Sequence, residues 1–103
     1  MATAQFSRRA KADLLSIGAY TLRNWGEAQA MRYLAGLESC CERLCERPLL
    51  GRGCEEIRPG LRRMEQGRHV IFYRQSDAEI VVSRILHRSM LPGIHTMDDE
   101  SYS

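Results

Sequence analysis

The side chains in this sequence best suited to chemistry are arginines and histidines gathered in its last third. Arg62, Arg63, Arg68, Arg84 and Arg88 lie there, with His69 and His87 among them and Glu65 and Glu79 close by. A guanidinium makes planar, bidentate contacts to phosphate or carboxylate that an ammonium does not. One chemistry open to this set is RNA cleavage by attack of a 2′-hydroxyl, which needs a base, an acid and cationic stabilisation of the phosphate. His87 would be the acid or base and Arg84 a neighbouring cation; His69 and His95 have weaker claims. The other is capture of an acidic protein partner, with no catalysis. Lys is absent from this region, since the sole Lys of the chain is Lys11. His87 closes an apolar run and reads as structural, so no catalytic residue is expected. Arg62, Arg63, Arg68, Tyr73, Arg74, Arg84, Arg88 and Met90 are the candidate partner-binding residues.

Cys40, Cys41, Cys45 and Cys54 are the other reactive side chains. Cys41 and Cys45 stand at i, i+4 spacing, which two metal ligands could use. The whole pattern, Cys-Cys-x3-Cys-x8-Cys, matches no common zinc spacing. Cysteine packs as a small hydrophobe, and packed, reduced thiols with no metal and no cofactor are expected. Cys40 and Cys41 are adjacent on a predicted helix, about 100° apart, and Cys41 is expected at the centre of the core stripe. Gly51-Arg52-Gly53 lacks the spacing of a phosphate loop.

These residues need a sheet to hold them. The candidate runs are Leu61 to Gly67, Arg68 to Arg74 and Glu79 to His87; Val, Ile, Phe and Tyr dominate the last two, and such residues suit a pleated surface. Short polar turns join them, so three consecutive antiparallel strands are predicted. The last two are apolar on both faces. Val70 and Phe72 should point one way and Ile71 and Tyr73 the other; Ile80, Val82 and Leu86 should oppose Val81 and Ile85. Strands of that kind are buried on both faces. Either the sheet curls under the chain's own loops, or a partner covers part of it.

Two helices are predicted ahead of the sheet. Thr3 to Phe6 is a short strand. Ser7 is a good N-cap, and Ala10, Leu14, Ile17 and Thr21 recur at helical spacing over residues 8–24. Trp25-Gly26-Glu27 makes the break, with Trp25 expected as a core anchor. Ala30, Leu34, Leu37, Cys41 and Leu44 form the next stripe, widened by Met31 and Tyr33 and ended by Pro48. So short a connector makes the helices antiparallel. Residues 49–60 read as a loop pinned by Leu49, Leu50 and Ile57. The fold class is α+β, in the order β-α-α-β-β-β: an antiparallel helical hairpin on a small, curved, mainly antiparallel sheet. Residues 1–97 form one domain, and the acidic tail 98–103 is expected to be disordered.

At 103 residues the chain can bury one modest core. Its net charge of +2 is not that of a strong nucleic-acid binder, and no specific nucleic acid is expected. Fourteen of its fifteen basic residues are Arg, which fits an arginine-rich working surface or a coding bias equally. No leader or membrane-spanning run is visible, so no membrane is expected and the chain reads as cytoplasmic.

The order of elements and several short motifs resemble the ParE branch of the RelE/ParE toxin superfamily. The motifs are Ser7-x2-Ala10-x2-Asp13-Leu14, Trp25-Gly26-x2-Gln29-Ala30-x2-Tyr33, Pro48-x2-Gly51, Arg58-Pro59-Gly60-Leu61-Arg62, Ile71-Phe72-Tyr73-Arg74 and Arg84-Ile85-Leu86-His87. Together they cover about Gln5 to Leu91. The resemblance implies the toxin of a type II toxin–antitoxin module, in a hetero-oligomer with a ParD-like antitoxin whose C-terminal segment wraps it. It implies DNA gyrase as the target. The RelE branch cleaves messenger RNA on the ribosome, and that is the alternative function.

Overall fold

The computed structural model describes residues 4–91. The expected tail, 98–103, lies outside them. Strand β1 (Ala4–Phe6) leads into helix α1 (Arg8–Trp25) through Ser7 alone. Ser7 is the N-cap: its Oγ accepts the Ala10 N–H at 3.0 Å and donates to the Ser83 carbonyl at 2.6 Å. The cap thus also staples α1 to the sheet. Gly26, at φ 90°, ends α1 and opens α2 (Glu27–Glu46). Such a φ is costly for any residue with a Cβ. With one residue between them the helices pack antiparallel, and Gly18 lets Leu34 approach α1 closely.

Strands β3 (Arg62–Gln66), β4 (His69–Ser76) and β5 (Glu79–His87) form the predicted antiparallel meander. A two-residue strand, β2 (Arg52–Gly53), pairs with β3 where a loop was expected. β1 pairs with β5 in parallel, and the sheet order is β1-β5-β4-β3-β2. The helices cover one face, where Ile71, Tyr73, Ile80, Val82 and Ile85 meet Ala10, Ile17, Leu37 and Leu44. On the other face Val70, Phe72 and Leu86 meet Cys54 and Leu61, with Ile57 and Leu91 beside them. The chain's own 54–61 loop therefore covers much of the second apolar face. Its close-knit backbone bonds, such as Cys54 N–H to the Leu61 carbonyl at 2.7 Å, hold it there.

The face assignment of β5 needs one correction. Phe72 opposes Arg84 but Tyr73 opposes Val82, so Ser83 is an extra residue, a β-bulge. Alternation restarts after it. Ile85 therefore joins Ile80 and Val82 under the helices, and Leu86 goes to the opposite core.

Several burial expectations are also corrected. Tyr73 is fully buried. Its hydroxyl donates to the Pro48 carbonyl at 2.6 Å and accepts the Gly51 N–H at 3.0 Å, locking the end of α2 to the sheet. It offers nothing to a partner. Trp25 and Met31 are largely exposed and lie outside the core. Leu49 and Leu50 are exposed as well, so Cys54, Ile57 and Leu61 pin the loop without them. Cys40 and Cys41 are both in the core, since α2 packs against α1 and the sheet at once. All four cysteines are free thiols. Burial pushes the Cys41 thiol up to about 12. Among the described residues, no helix is long and apolar enough to cross a membrane.

Candidate functional site

An open groove of about 720 Å³ runs between the helical hairpin and the end of the β4–β5 ladder. Helix α1 lines it with Asp13, Ile17, Tyr20, Thr21 and Trp25, which share a face because they stand at i, i+4, i+7, i+8 and i+12. Helix α2 adds Gln29 and Tyr33 at i, i+4. Arg68 and His69 come from the β3–β4 turn and the start of β4. Ile85, Leu86 and His87 end β5, and Ser89 and Met90 follow on a single 3-10 turn, Arg88–Met90. Trp25, Tyr20 and Met90 are 62%, 58% and 53% exposed there. Large apolar side chains gathered on one open surface mark an interaction site.

The polar part of the groove is built around Tyr33. Its hydroxyl accepts the Arg68 N–H at 2.9 Å and lies 2.6 Å from His69 Nδ1. Gly67, at φ 61°, makes this possible, since a Cβ there would stand 2.8 Å from the Tyr33 ring. The His69 ring meets Tyr33 and His87 edge-on, with centroids 5.5 and 5.2 Å away. Burial lowers the His69 pKa to about 4; the charge of His87 adds to this and Asp13 opposes it. The imidazole is therefore neutral at pH 7. His87 Nδ1 accepts the Ser89 N–H at 3.1 Å and lies 2.9 Å from Ser89 Oγ.

Asp13 forms the floor. It takes Arg84 Nε at 2.9 Å and Nη2 at 3.0 Å in a bidentate pair, and also accepts the Ile85 N–H at 2.9 Å. The two side chains are only 9% and 15% exposed. Arg84 therefore holds the β5 bulge to α1 and is removed from the expected exposed rim.

Of the candidate residues, the groove brings together Arg68, His87 and Met90. Arg62 turns its guanidinium onto the Gly51 carbonyl, Nε at 3.0 Å, and supports the 48–51 turn. Arg63 pairs with Glu65 at 3.0 Å and lies over Phe72. Both stand on β3, apart from the groove. Arg74 is half-buried on β4 opposite Val81, and Arg88 is exposed beside the groove, its N–H bound to the Arg68 carbonyl. Residue typing ranked His69 below His87 and passed over Asp13, Tyr20, Trp25, Gln29 and Tyr33 as groove residues. Four of these, Asp13, Trp25, Gln29 and Tyr33, stand in the short motifs noted above, and that was the available signal.

Residues 4–92 match the family described as the ParE toxin of the type II toxin–antitoxin system parDE. The chain is 41% identical over 91 residues to Toxin ParE1 of Caulobacter vibrioides, covering 88% of this chain and 94% of that relative. It is 41% identical over 85 residues to Toxin ParE1 of Mycobacterium tuberculosis, covering 82% and 87%. Toxin ParE of Escherichia coli is 39% identical over 83 residues, covering 79% and 80%. A chain in the structure titled "Chromosomal ParDE TA system from P. aeruginosa" has the same fold, with a TM-score of 0.71 at 24% identity, covering 84% of this chain and 96% of that one.

Proposed function

We propose, for a chain that belongs to the ParE toxin family of type II toxin–antitoxin systems, a toxin that acts in the cytoplasm by capturing proteins and not by catalysis. Its neutralising partner is a ParD-like antitoxin, and its target is DNA gyrase. The observation that carries this reading is the groove, where Trp25, Tyr20 and Met90 stand exposed around a basic, two-histidine end. An amphipathic helix laid into such a groove buries its apolar face and places acidic residues near Arg68. Trp, Tyr and Arg are the residue types that most often dominate binding energy.

The chemistry of the groove argues in the same direction. Phosphodiester cleavage needs a cation held against the phosphate; the arginine fixed in the floor, Arg84, is committed to Asp13 at two points, which leaves only Arg68 and Arg88 at the exposed edge. A base must also be reachable, but Nδ1 of each imidazole is already engaged by Tyr33 or Ser89. Both groups hold the fold together in the arrangement seen.

Two assays on the purified chain test this: supercoiling by gyrase, and cleavage of messenger on translating ribosomes. Supercoiling should be inhibited, the messenger should stay uncut, and the antitoxin should relieve the inhibition. Codon-positioned cuts whose rate falls roughly a hundredfold or more in His87→Gln would overturn the reading, because that is the loss expected on removing a general acid or base.

A further inference from the structure

The polar end of the groove is more specific than a protein-docking surface requires. His69 and His87 sit side by side there, and each ring has one nitrogen already occupied from within the fold. Ser89 donates its N–H to His87 Nδ1, so that nitrogen carries the lone pair. The Tyr33 hydroxyl already accepts the Arg68 N–H, which leaves its own proton to give. His69 Nδ1, at 2.6 Å, is a far nearer acceptor for that proton than the Gln66 carbonyl at 3.4 Å, and the pair forms a short O–H···N bond. A neutral imidazole with an acceptor Nδ1 must carry its proton on Nε2. Burial keeps His69 neutral at pH 7. The fold therefore sets both rings to the same tautomer, and the atom left on each for a groove ligand is an N–H donor.

We propose that the His69–His87 pair is a carboxylate-recognition site, taking an Asp or Glu side chain of the docked partner, with Tyr33 and Ser89 as the positioning residues that fix both rings as donors. This deepens the docking reading above and rests on it. Two N–H groups favour an acceptor that can take both, and a carboxylate oxygen pair does so. A partner that offered an amine or an apolar group at this point would leave buried donors unpaired, so the pair discriminates between partners as well as binding one. The groove's own carboxylate, Asp13, does not compete. It is already satisfied by Arg84 and Ile85.

The experiment uses the full chain, labelled with ¹⁵N, titrated with hexanoate and separately with hexanamide, its uncharged counterpart. Fluorescence of Trp25, the only Trp of the chain, reports occupancy of the groove. Imidazole ¹⁵N shifts report tautomer and contact at His69 and His87. In the free chain both rings should show the Nε2–H tautomer. Hexanoate should bind about tenfold or more tightly than hexanamide, as a hydrogen bond to a charged group implies, and should move both Nε2 signals. Tyr33→Phe should release His69 into a tautomer mixture and shrink the carboxylate preference, while the Trp25 response to hexanamide persists. Equal binding of the two probes, unmoved imidazole signals, or no binding of hexanoate would each overturn the proposal. Docking of a partner in the groove would survive those results, since a complex that still buries Trp25 needs no carboxylate at the histidines.

Discussion

The pair Asp13–Arg84 should be the most costly single contact to break. Its geometry is bidentate, with side chains 9% and 15% exposed, and Asp13 also holds the Ile85 N–H at the bulge. Removing one member of a buried pair leaves the other charge uncompensated, at a cost of about 3–5 kcal/mol. Slight solvent access puts Asp13→Asn and Arg84→Ala near the lower end, about 3 kcal/mol each. A domain of this size has roughly 5–15 kcal/mol in total, so either variant loses a large share of it. With a urea slope of roughly 1 kcal/mol per molar, the midpoint should fall by about 2–3 M. Asp13→Leu combined with Arg84→Met removes both charges at once and should recover most of the loss. About 1 kcal/mol should stay missing, because the Ile85 N–H then lacks its acceptor. Urea unfolding of the four proteins, followed by circular dichroism, decides the matter. Single-variant losses under about 1 kcal/mol, as for an exposed pair, would refute the reasoning. The same numbers mean that Arg84→Ala cannot be read as a partner-contact variant without a stability control.

Other expectations follow from the same geometry. Tyr73→Phe removes the link between the Pro48 carbonyl and the Gly51 N–H and should cost about 1–3 kcal/mol in urea unfolding. His69 titrates near 4 in the fold against an ordinary 6.5. The unfolded chain therefore binds more protons between those values, so stability present above pH 6.5 is lost as pH falls toward 4. The loss is at most about 3 kcal/mol, less because solvent screens a half-buried ring, and His69→Gln should flatten this part of the curve. Cys41, pushed up to about 12, should resist alkylation at pH 8 in the native chain and react fully in urea, which mass spectrometry reads. Trp25→Ala should weaken antitoxin binding by about 2 kcal/mol or more, roughly thirtyfold in Kd by calorimetry, if it anchors the groove.

The helices were legible because their ends carry local chemistry. Ser7 caps, Gly26 takes a positive φ, and Pro48 stops α2. The strands were legible because β-branched and aromatic residues fill them. The register of β5 was not, because nothing in Arg84-Ile85-Leu86-His87 marks the bulge at Ser83. It is stabilised from outside the strand, by Ser7 and Asp13, more than seventy residues earlier. Trp25 was misplaced because an aromatic at a bend fits a core and a groove lip equally well by type. It ends α1 outside the core, although it shares a helix face with Ile17 and Thr21. Tyr73 was misplaced for the opposite reason: its hydroxyl looked like a surface group, and its partners, Pro48 and Gly51, meet it only once the 48–51 turn folds back. The groove is built from three separate stretches of chain, so typing residues within the last third found Arg68, His87 and Met90 but not the helical wall facing them.

The most direct test of the account is whether the partner occupies that groove. The toxin chain alone would be labelled with 5-fluorotryptophan, giving one ¹⁹F signal, from Trp25. A ParD-like antitoxin would then be added. The account predicts that the signal shifts in proportion to complex formed and loses its response to a soluble paramagnetic agent, as the ring passes from 62% exposed to buried. A complex that forms fully while Trp25 keeps its free position and its solvent contact would contradict it.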